Sequence, residues 1–480
     1  MNEQATKNQT DLFIYFFCVI LSIGFIPSFV NAPYLSSAVI DFMEANILWD
    51  PIKALLIMVM TFLLILYTLV SLFFTDFFKE NKSKYAFYIK IFCILCASVV
   101  FVIIPTANNI FSRLIEGPHL FAHDGGVIQS EEALKFFLAG VNPYSADFSQ
   151  TPMVDWAGWS TNPALWHIPY LPLSFLLSLP LYILSMIFLG WYDQRFLYLL
   201  LYYPTIYLAS KLAKTPSYKL GITSFVALSP AFTPLIVYGY NDILILFWVI
   251  LSIYFLKNGR KNASLVALAC ACATKQTSWM LLPFYFAFFW QKEWNYVFET
   301  IRTGKFFDKS FLIYIKDRIF EIFPFILVFS LIVLPFFLWN PADFIDDIFL
   351  FNVGLADPSY FIKGDDGYGI GTLVLLFGWV SSIHDYFPFW IFQVLFGAPV
   401  IIMGFLKLKK NASIANLLNL YVLIGMILFF FSRFFHGNYI AYFLTLLGTG
   451  ILISYDQALV DQQSFESYDS RFPKPEENKK

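Results

Sequence analysis

A polar break in the first half of the chain carries the carboxylate best suited to chemistry. Residues 119–144 read HLFAHDGGVIQSEEALKFFLAGVNPY, and Asp124 stands there beside Gly125 and Gly126. A carboxylate acts as a general base when it lies within hydrogen-bond reach of a hydroxyl and is partly removed from water. The two glycines would let a substrate approach the backbone closely. The alternative is an exposed aspartate in a turn, without a role in catalysis.

Three basic residues at the ends of hydrophobic stretches are suited to hold a phosphate. Lys275 interrupts an apolar run, and Arg433 and His436 lie in the segment SRFFHGNY. Arginine gives bidentate contacts to phosphate, lysine provides a point charge, and histidine donates or takes a proton. The alternatives are anchoring at a membrane interface for the two long cations and a structural role for His436.

Other polar and aromatic residues fit either a ligand site or a structural role. Asn241 and Asp242 precede a hydrophobic stretch, so they bind a sugar hydroxyl or cap a helix. Three tryptophans stack on a sugar or belong to an interfacial aromatic belt: Trp156, Trp159 and Trp166. Two pairs of aspartates could bind a metal ion, and they are Asp346, Asp347, Asp365 and Asp366. We interpret them instead as a solvated acidic surface of an external loop.

The composition predicts an all-α polytopic membrane protein to position these groups. Of the 480 residues, 59% are hydrophobic and 13% are charged, and the mean hydropathy is +0.66. A soluble globular domain carries more charge on its surface. Many apolar runs have the length of about 20 residues that crosses a bilayer as a helix, and we expect about 11–13 crossings. With a net charge of only -2, a nucleic-acid partner is not expected.

The distribution of basic residues predicts which loops face the cytoplasm. A lysine cluster within residues 79–84 belongs inside by the positive-inside rule. The amino terminus is then inside, and loops 108–165 and 340–370 are outside. Residues 1–455 form one membrane domain, and the polar tail 456–480 is cytoplasmic and disordered. Stretch 165–190 is two short crossings or a re-entrant piece, and stretch 371–383 is a half-inserted segment.

A short amphipathic helix is expected directly after the polar break. Ser130 is its candidate N-cap, with Glu131 in the first turn. Apolar residues on one face, Leu134 among them, predict that this helix lies on the membrane surface. Gly140 is placed to end the helix, and residues 142–144 turn the chain. In this topology all five histidines fall outside, which favours a polar cavity open to that side.

Three stretches, in this order along the chain, resemble a known superfamily. Within 124–144, an aspartate precedes a short helix that ends in a Gly-x-x-Pro-Tyr turn. Residues 239–283 begin with Gly-x-Asn-Asp and include a lysine between two short helices, and residues 433–439 read Arg-x-x-x-x-Asn-Tyr. Together these stretches resemble the GT-C glycosyltransferases, nearest the α-mannosyltransferases of glycosyltransferase family 87 and the first mannosyltransferase of GPI-anchor assembly. The family aspartate is often followed by an aromatic residue, and here by glycine.

The resemblance implies an inverting transfer of a hexose from a polyprenyl-phosphate donor to a lipid or glycan acceptor. Mannose is the hexose that it favours. It implies Asp124 as the base and no cofactor or metal, in a monomer embedded among the lipids of a prokaryotic cell membrane. The alternatives are a lipid or glycan transporter or flippase, and a glycan polymerase. The donor phosphate would be bound by Arg433, Lys275 and His436. The sugar or acceptor would be bound by Asn241, Asp242, Glu131, Tyr144 and Tyr439.

Overall fold

A computed structural model describes residues 10–28, 50–73, 80–119, 122–157, 162–304, 308–364 and 367–469. Within these ranges the chain forms helices and no β-strand, which confirms the all-α prediction for the described part. Long apolar runs favour helices because a helix satisfies every backbone polar group within the segment itself.

The α-helices are numbered here in chain order. Those before residue 240 are α1 (Thr10–Ser22), α2 (Pro51–Phe73), α3 (Glu80–Ser98), α4 (Ile104–Glu116), α5 (Gly125–Leu138), α6 (Met153–Ala157), α7 (Leu173–Leu176), α8 (Leu179–Phe188), α9 (Arg195–Ser210), α10 (Pro216–Leu228) and α11 (Thr233–Tyr238). Those after it are α12 (Asp242–Lys257), α13 (Lys261–Cys272), α14 (Leu282–Phe289), α15 (Trp294–Thr303), α16 (Lys309–Glu321), α17 (Phe323–Trp339), α18 (Pro341–Ile345), α19 (Phe351–Val353), α20 (Gly371–Leu376), α21 (Phe389–Lys410), α22 (Ile414–Phe430) and α23 (Gly437–Asp469).

Several helices have the length and composition of membrane spans. In the described part of the chain, four helices meet these criteria: Pro51–Phe73, Lys84–Glu116, Phe389–Lys410 and Gly437–Gln462. Helices α16 and α17 meet at a bend of 55° and make a fifth if they count as one span. Large apolar side chains such as Met58, Phe62 and Phe92 are exposed on these helices, which is compatible with contact to lipid. The expected total of about 11–13 crossings stays a prediction.

The hydrophobic core has two large parts. The first joins helices from both ends of the chain, including α1, α2, α10, α12 and α22. The second packs α5 and the segment after it against α17, with Leu134, Phe175 and Phe336 buried there. Backbone hydrogen bonds from Asp124 to Tyr238 and from Leu171 to Thr274 join the two parts. The candidate site lies along this junction.

Helix α5 differs from its predicted form. It begins at Gly125, with Asp124 as the N-cap, so the N-cap assignment of Ser130 was wrong. The Ser130 hydroxyl instead donates to the carbonyl of Gly126 inside the helix. Residues 125–134 are all buried, because α5 packs against protein on several sides and does not lie on a surface. The helix does end at Leu138, before Gly140 with its positive φ of 76°, as predicted.

Two further expectations change with the structure. Residues 173–188 form one interrupted apolar helical stretch, which is too short to cross a bilayer twice. Helix α23 continues through residue 469, so the disorder expected from residue 456 was wrong for 456–469. The Asp456 carboxylate accepts hydrogen bonds from the backbone of Lys214 and Thr215 over 2.6 and 2.9 Å, which holds this helix to the loop after α9. Residues 470–480 lie outside the described part of the chain.

Candidate functional site

Asp124 lies at the N-terminus of α5, where two hydrogen bonds to backbone groups hold its main chain and its carboxylate. Its N–H donates to the carbonyl of Tyr238 over 2.7 Å, and its Oδ2 accepts from the Gly126 N–H over 2.8 Å. Carboxylates favour this position because several backbone N–H groups at a helix start lack partners within the helix. The side chain is half-buried and lines a cavity.

The two glycines after Asp124 line the cavity and also allow close packing. A Cβ at Gly125 would lie 2.8 Å from the Trp156 ring, and one at Gly126 would lie 2.8 Å from the Asp124 carboxylate and 3.1 Å from the Tyr170 hydroxyl. A side chain at either position would therefore collide with groups of the site. Both rings also line the cavity, so the glycines bring the carboxylate close to aromatic walls.

The cavity has a volume of about 470 Å³ and brings together five of the predicted site residues. They come from segments far apart in the sequence, and they are Asp124, Asn241, Lys275, His436 and Tyr439. Aromatic residues form much of the remaining wall, and they include Trp156, Tyr170, Tyr240, Tyr360, Phe361 and Phe434. A wall of rings with a few polar groups is typical of a small-molecule site.

Lys275 lies between two short helices, as predicted, and its ammonium is held by groups at the start of α12. Its Nζ donates to Asn241 Oδ1 over 2.9 Å and to Asp242 Oδ1 over 3.1 Å. Asn438 donates to the second oxygen of Asp242 over 2.8 Å. Asp242 is fully buried and does not line the cavity, and its role as a sugar ligand stays a prediction. Its carboxylate balances the charge of Lys275.

Tyr439 packs on the same lysine, and His436 contacts residues next to those that hold it. The ammonium of Lys275 lies 5.0 Å from the centre of the Tyr439 ring, within the range of a cation–π contact. His436 Nδ1 lies 3.1 Å from Asn438 Oδ1, and its imidazole stacks on Tyr240. These contacts connect the late segment 436–439 to the start of α12.

Arg433 does not line the cavity. The residue is only 2% exposed, and its guanidinium donates to three backbone carbonyls, those of Val353, Ile383 and Asp385. Gly354 makes room for it, because a Cβ there would overlap the guanidinium. Burial lowers the pKa of Arg433 to about 10. The guanidinium clamps the loops around residues 353 and 383, and its contact with a phosphate stays a prediction.

Lys363 is the cavity cation that sequence reasoning missed. Its Nζ lies 5.6 Å from the ring centres of both Phe361 and Phe434, and its backbone N–H donates to the carbonyl of Arg433 over 2.8 Å. It is the single lysine among six aspartates in the loop 340–370. That contrast in charge was visible in the sequence and would have identified it.

Glu131 and Tyr144 also lie away from the cavity. The Glu131 carboxylate pairs with Arg113 over 2.6 Å and accepts from the backbone N–H of Gln194 over 2.8 Å. The Tyr144 hydroxyl donates to the carbonyl of Tyr170 over 2.8 Å, and its ring packs on Phe344. Neither residue lines the cavity, and their roles as sugar or acceptor ligands stay predictions. They hold the segments that carry the cavity wall.

A buried arginine contacts both the segment before Asp124 and the segment whose backbone is hydrogen-bonded to Asp124. Arg195 is fully buried and pairs with Asp193 over 2.8 Å. It also donates to the carbonyls of Ala122 over 2.8 Å and Val237 over 3.4 Å. These carbonyls lie two residues before Asp124 and one before Tyr238, the residue that accepts from the Asp124 backbone. Sequence reasoning passed over this arginine.

The electrostatics favour Asp124 as an acid–base group. Burial raises the pKa of its carboxyl to about 6, against the opposing effects of the Gly126 N–H and of Lys275. Burial and the charge of Arg113 lower the pKa of the neighbouring His123 to about 3, so that imidazole is neutral. A base with a pKa near the working pH takes a proton and still releases it.

Some candidates fall elsewhere. Trp166 lines a different and smaller cavity, and Trp159, Asp365 and Asp366 lie outside the described residues. No family model matches this sequence, and no curated protein or solved structure matches it significantly. The resemblance to the GT-C glycosyltransferases therefore rests on the three sequence stretches.

Proposed function

We propose that this protein is an inverting glycosyltransferase of the GT-C type, with a polyprenyl-phosphate hexose as donor and a lipid or glycan as acceptor. The observation that carries the proposal is that Asp124, Lys275 and Lys363 line one aromatic-walled cavity. A transferase of this kind needs one base for the acceptor and positive charge for the departing phosphate. The cavity holds both, and its volume suits one or two sugar rings.

In the proposed reaction, Asp124 takes the proton from an acceptor hydroxyl as that oxygen attacks C1 of the donor sugar. The bond between C1 and the phosphate oxygen breaks, and its electrons leave with the polyprenyl phosphate. Attack opposite the leaving group inverts the configuration at C1. The raised pKa of Asp124, about 6, supports this role because a carboxylate with that pKa is a stronger base than an ordinary aspartate.

Lys363 takes the place of Arg433 as the proposed partner of the donor phosphate. Lys275 lends a second positive charge at the cavity wall, although the Asp242 carboxylate offsets much of it. A lysine ammonium suits a phosphate as a point charge without fixed direction. Arg433 supports the arrangement indirectly, because its backbone carbonyl accepts the N–H of Lys363.

The aromatic wall is the proposed surface for the sugar. Trp156 and Tyr360 line the cavity together with Asp124, and Asn241 and His436 add polar groups. Aromatic faces pack well against the apolar faces of sugar rings, and the polar groups select among hydroxyls. Mannose is the first sugar to test. We also propose that the cavity opens to the external face of a cell membrane, with about 11–13 crossings.

The decisive test is sugar transfer by the full-length protein in detergent, with polyprenyl-phosphate mannose and a membrane lipid extract as acceptor. Asp124→Asn keeps the shape of the side chain and removes the base, so it should lose about 10²–10⁴-fold in rate. The exposed Asp155→Asn is the matched control and should transfer at the wild-type rate. Full activity of Asp124→Asn would refute the base, and absence of transfer by the wild type from several polyprenyl-phosphate hexoses would refute the function.

A further inference from the structure

A second cavity, of about 250 Å³, holds a cluster of ionisable groups away from Asp124. His167 comes from the segment after α6, Asp343 lies in α18, and Asp346 and Asp347 begin the π-helical turn Asp346–Leu350 that follows it. These four residues line the cavity together with Tyr144 and Trp166, and they are His167, Asp343, Asp346 and Asp347.

The ligand atoms of three of these residues converge. His167 Nδ1 lies 2.7 Å from Asp347 Oδ1 and 3.4 Å from Asp346 Oδ2. One nitrogen and two carboxylate oxygens thus lie within 4.8 Å of one another. The imidazole is 95% buried, with relative exposure of 5%, and it stacks on Phe351. Its orientation toward the carboxylates is therefore fixed by packing.

The cluster carries more negative than positive charge. In the described ranges, neither lysine nor arginine forms an ion pair with Asp343, Asp346 or Asp347, and His167 is their one basic neighbour. A solvated acidic face would not need a buried histidine at its centre. Asp347 is also buried, and it is tied to the backbone N–H of Ile168 over 3.0 Å. Several half-buried carboxylates with a single histidine as basic partner attract a further positive charge.

We propose that His167, Asp346 and Asp347 bind a divalent transition-metal ion, Zn²⁺ or Mn²⁺, in the cavity that Asp343 also lines. An imidazole nitrogen with carboxylate oxygens suits these ions, whereas Mg²⁺ and Ca²⁺ prefer oxygen ligands alone. The ion takes the position between His167 Nδ1 and the carboxylates, in place of their hydrogen bond. This inference revises the expectation of no metal site, and it is independent of the proposed glycosyl transfer.

The site lies directly behind the wall of the larger cavity. Gln129, which lines that cavity, donates to the carbonyl of His167 over 2.8 Å. Gln276 bridges the carbonyls of Pro169 and Ile348 over 3.0 and 3.2 Å. Pro169 and Tyr170 line the larger cavity, two and three residues after His167. A bound ion therefore cross-links the segment that forms this wall to the turn after α18.

The test is metal binding by the purified full-length protein after treatment with a chelator. The protein is dialysed against Zn²⁺, Mn²⁺ or Mg²⁺ without any sugar donor, and bound metal is measured by mass spectrometry. We expect one Zn²⁺ or Mn²⁺ per chain, little retained Mg²⁺, and a higher melting temperature with the bound ion. Asp346→Asn keeps the hydrogen bond between His167 and Asp347, so the variant should fold and bind the ion about 10–100-fold more weakly.

His167→Gln should lose binding as well, and the exposed Asp155→Asn should bind as the wild type does. Equal binding by wild type, Asp346→Asn and His167→Gln would place the ion elsewhere and overturn the proposal. Absence of retained Zn²⁺ and Mn²⁺ in the wild type would overturn it too. Because no donor is present, these outcomes are separate from those of the transfer assay.

Discussion

The ammonium of Lys275 lies 3.1 Å from the carboxylate of Asp242, and this buried pair joins the turn after α13 to the start of α12. Asn438 completes the pair from a third segment, through a hydrogen bond of 2.8 Å to the same carboxylate. The two later stretches of the resemblance, 239–283 and 433–439, thus meet at one carboxylate. The pair holds part of the cavity wall, because Lys275 and Asn438 both line the cavity.

Removal of the Asp242 charge should destabilise the protein strongly. Asp242→Asn leaves Lys275 with a positive charge that is only 7% exposed, and breaking a buried pair in this way costs about 3–5 kcal/mol. The double variant Asp242→Asn/Lys275→Met removes both charges and should recover part of that loss. Unfolding in detergent, followed by circular dichroism, measures both. A double variant less stable than the single one would contradict a pair that is held by charge.

The pH dependence of transfer should follow the ionisation of Asp124. Its pKa is raised to about 6, so at pH 5 most of the carboxyl is protonated and unable to act as a base. The rate should therefore rise between pH 5 and pH 7, with a midpoint near 6. An ordinary aspartate, with a pKa of 3.8, would be ionised throughout this range and give a flat profile. The measurement is the transfer rate at saturating donor.

The variants Lys363→Met and Arg433→Met should show that Lys363 binds the donor phosphate and that Arg433 stabilises the surrounding loops. Loss of the Lys363 charge should lower kcat/KM for the donor about 10–100-fold, the value of a hydrogen bond to a charged group, with little change in melting temperature. Arg433→Met removes donors to three carbonyls and should lower the free energy of unfolding by about 1–3 kcal/mol. Melting curves and donor titrations of both variants give the comparison. The opposite pattern would return the phosphate role to Arg433.

Gly125→Ala should disturb the site through packing alone. The added Cβ would lie 2.8 Å from the Trp156 ring, which also donates from its indole N–H to the carbonyl of His123. Overpacking of this kind costs about 1–3 kcal/mol, and here it also pushes the ring out of the cavity wall. Gly24→Ala is the control, because a Cβ there meets no atom within 4 Å. Equal melting temperatures for both variants would show that Trp156 moves without cost.

Local patterns in the sequence were enough to predict several of the helices and turns that carry the site residues. Apolar runs predicted an all-helical chain, and residue order predicted that Asp124 precedes α5 and that the helix ends before Gly140, although it did not predict that the helix begins at Gly125. Lys275 was expected between two short helices and lies there. Each of these features depends on hydrogen bonds and periodicity within one stretch of chain. Such features are therefore encoded locally.

Only the tertiary structure decided which side chains share the cavity. Arg433 and Lys363 are both basic residues beside aromatic ones, yet the first is buried among carbonyls and the second lines the cavity. Glu131 was predicted as a ligand and pairs instead with Arg113, and His167 meets Asp347 from a distant segment. The physical reason is that a charged side chain is placed by partners from other segments, since burial without a partner is costly. Residue order alone does not determine those partners.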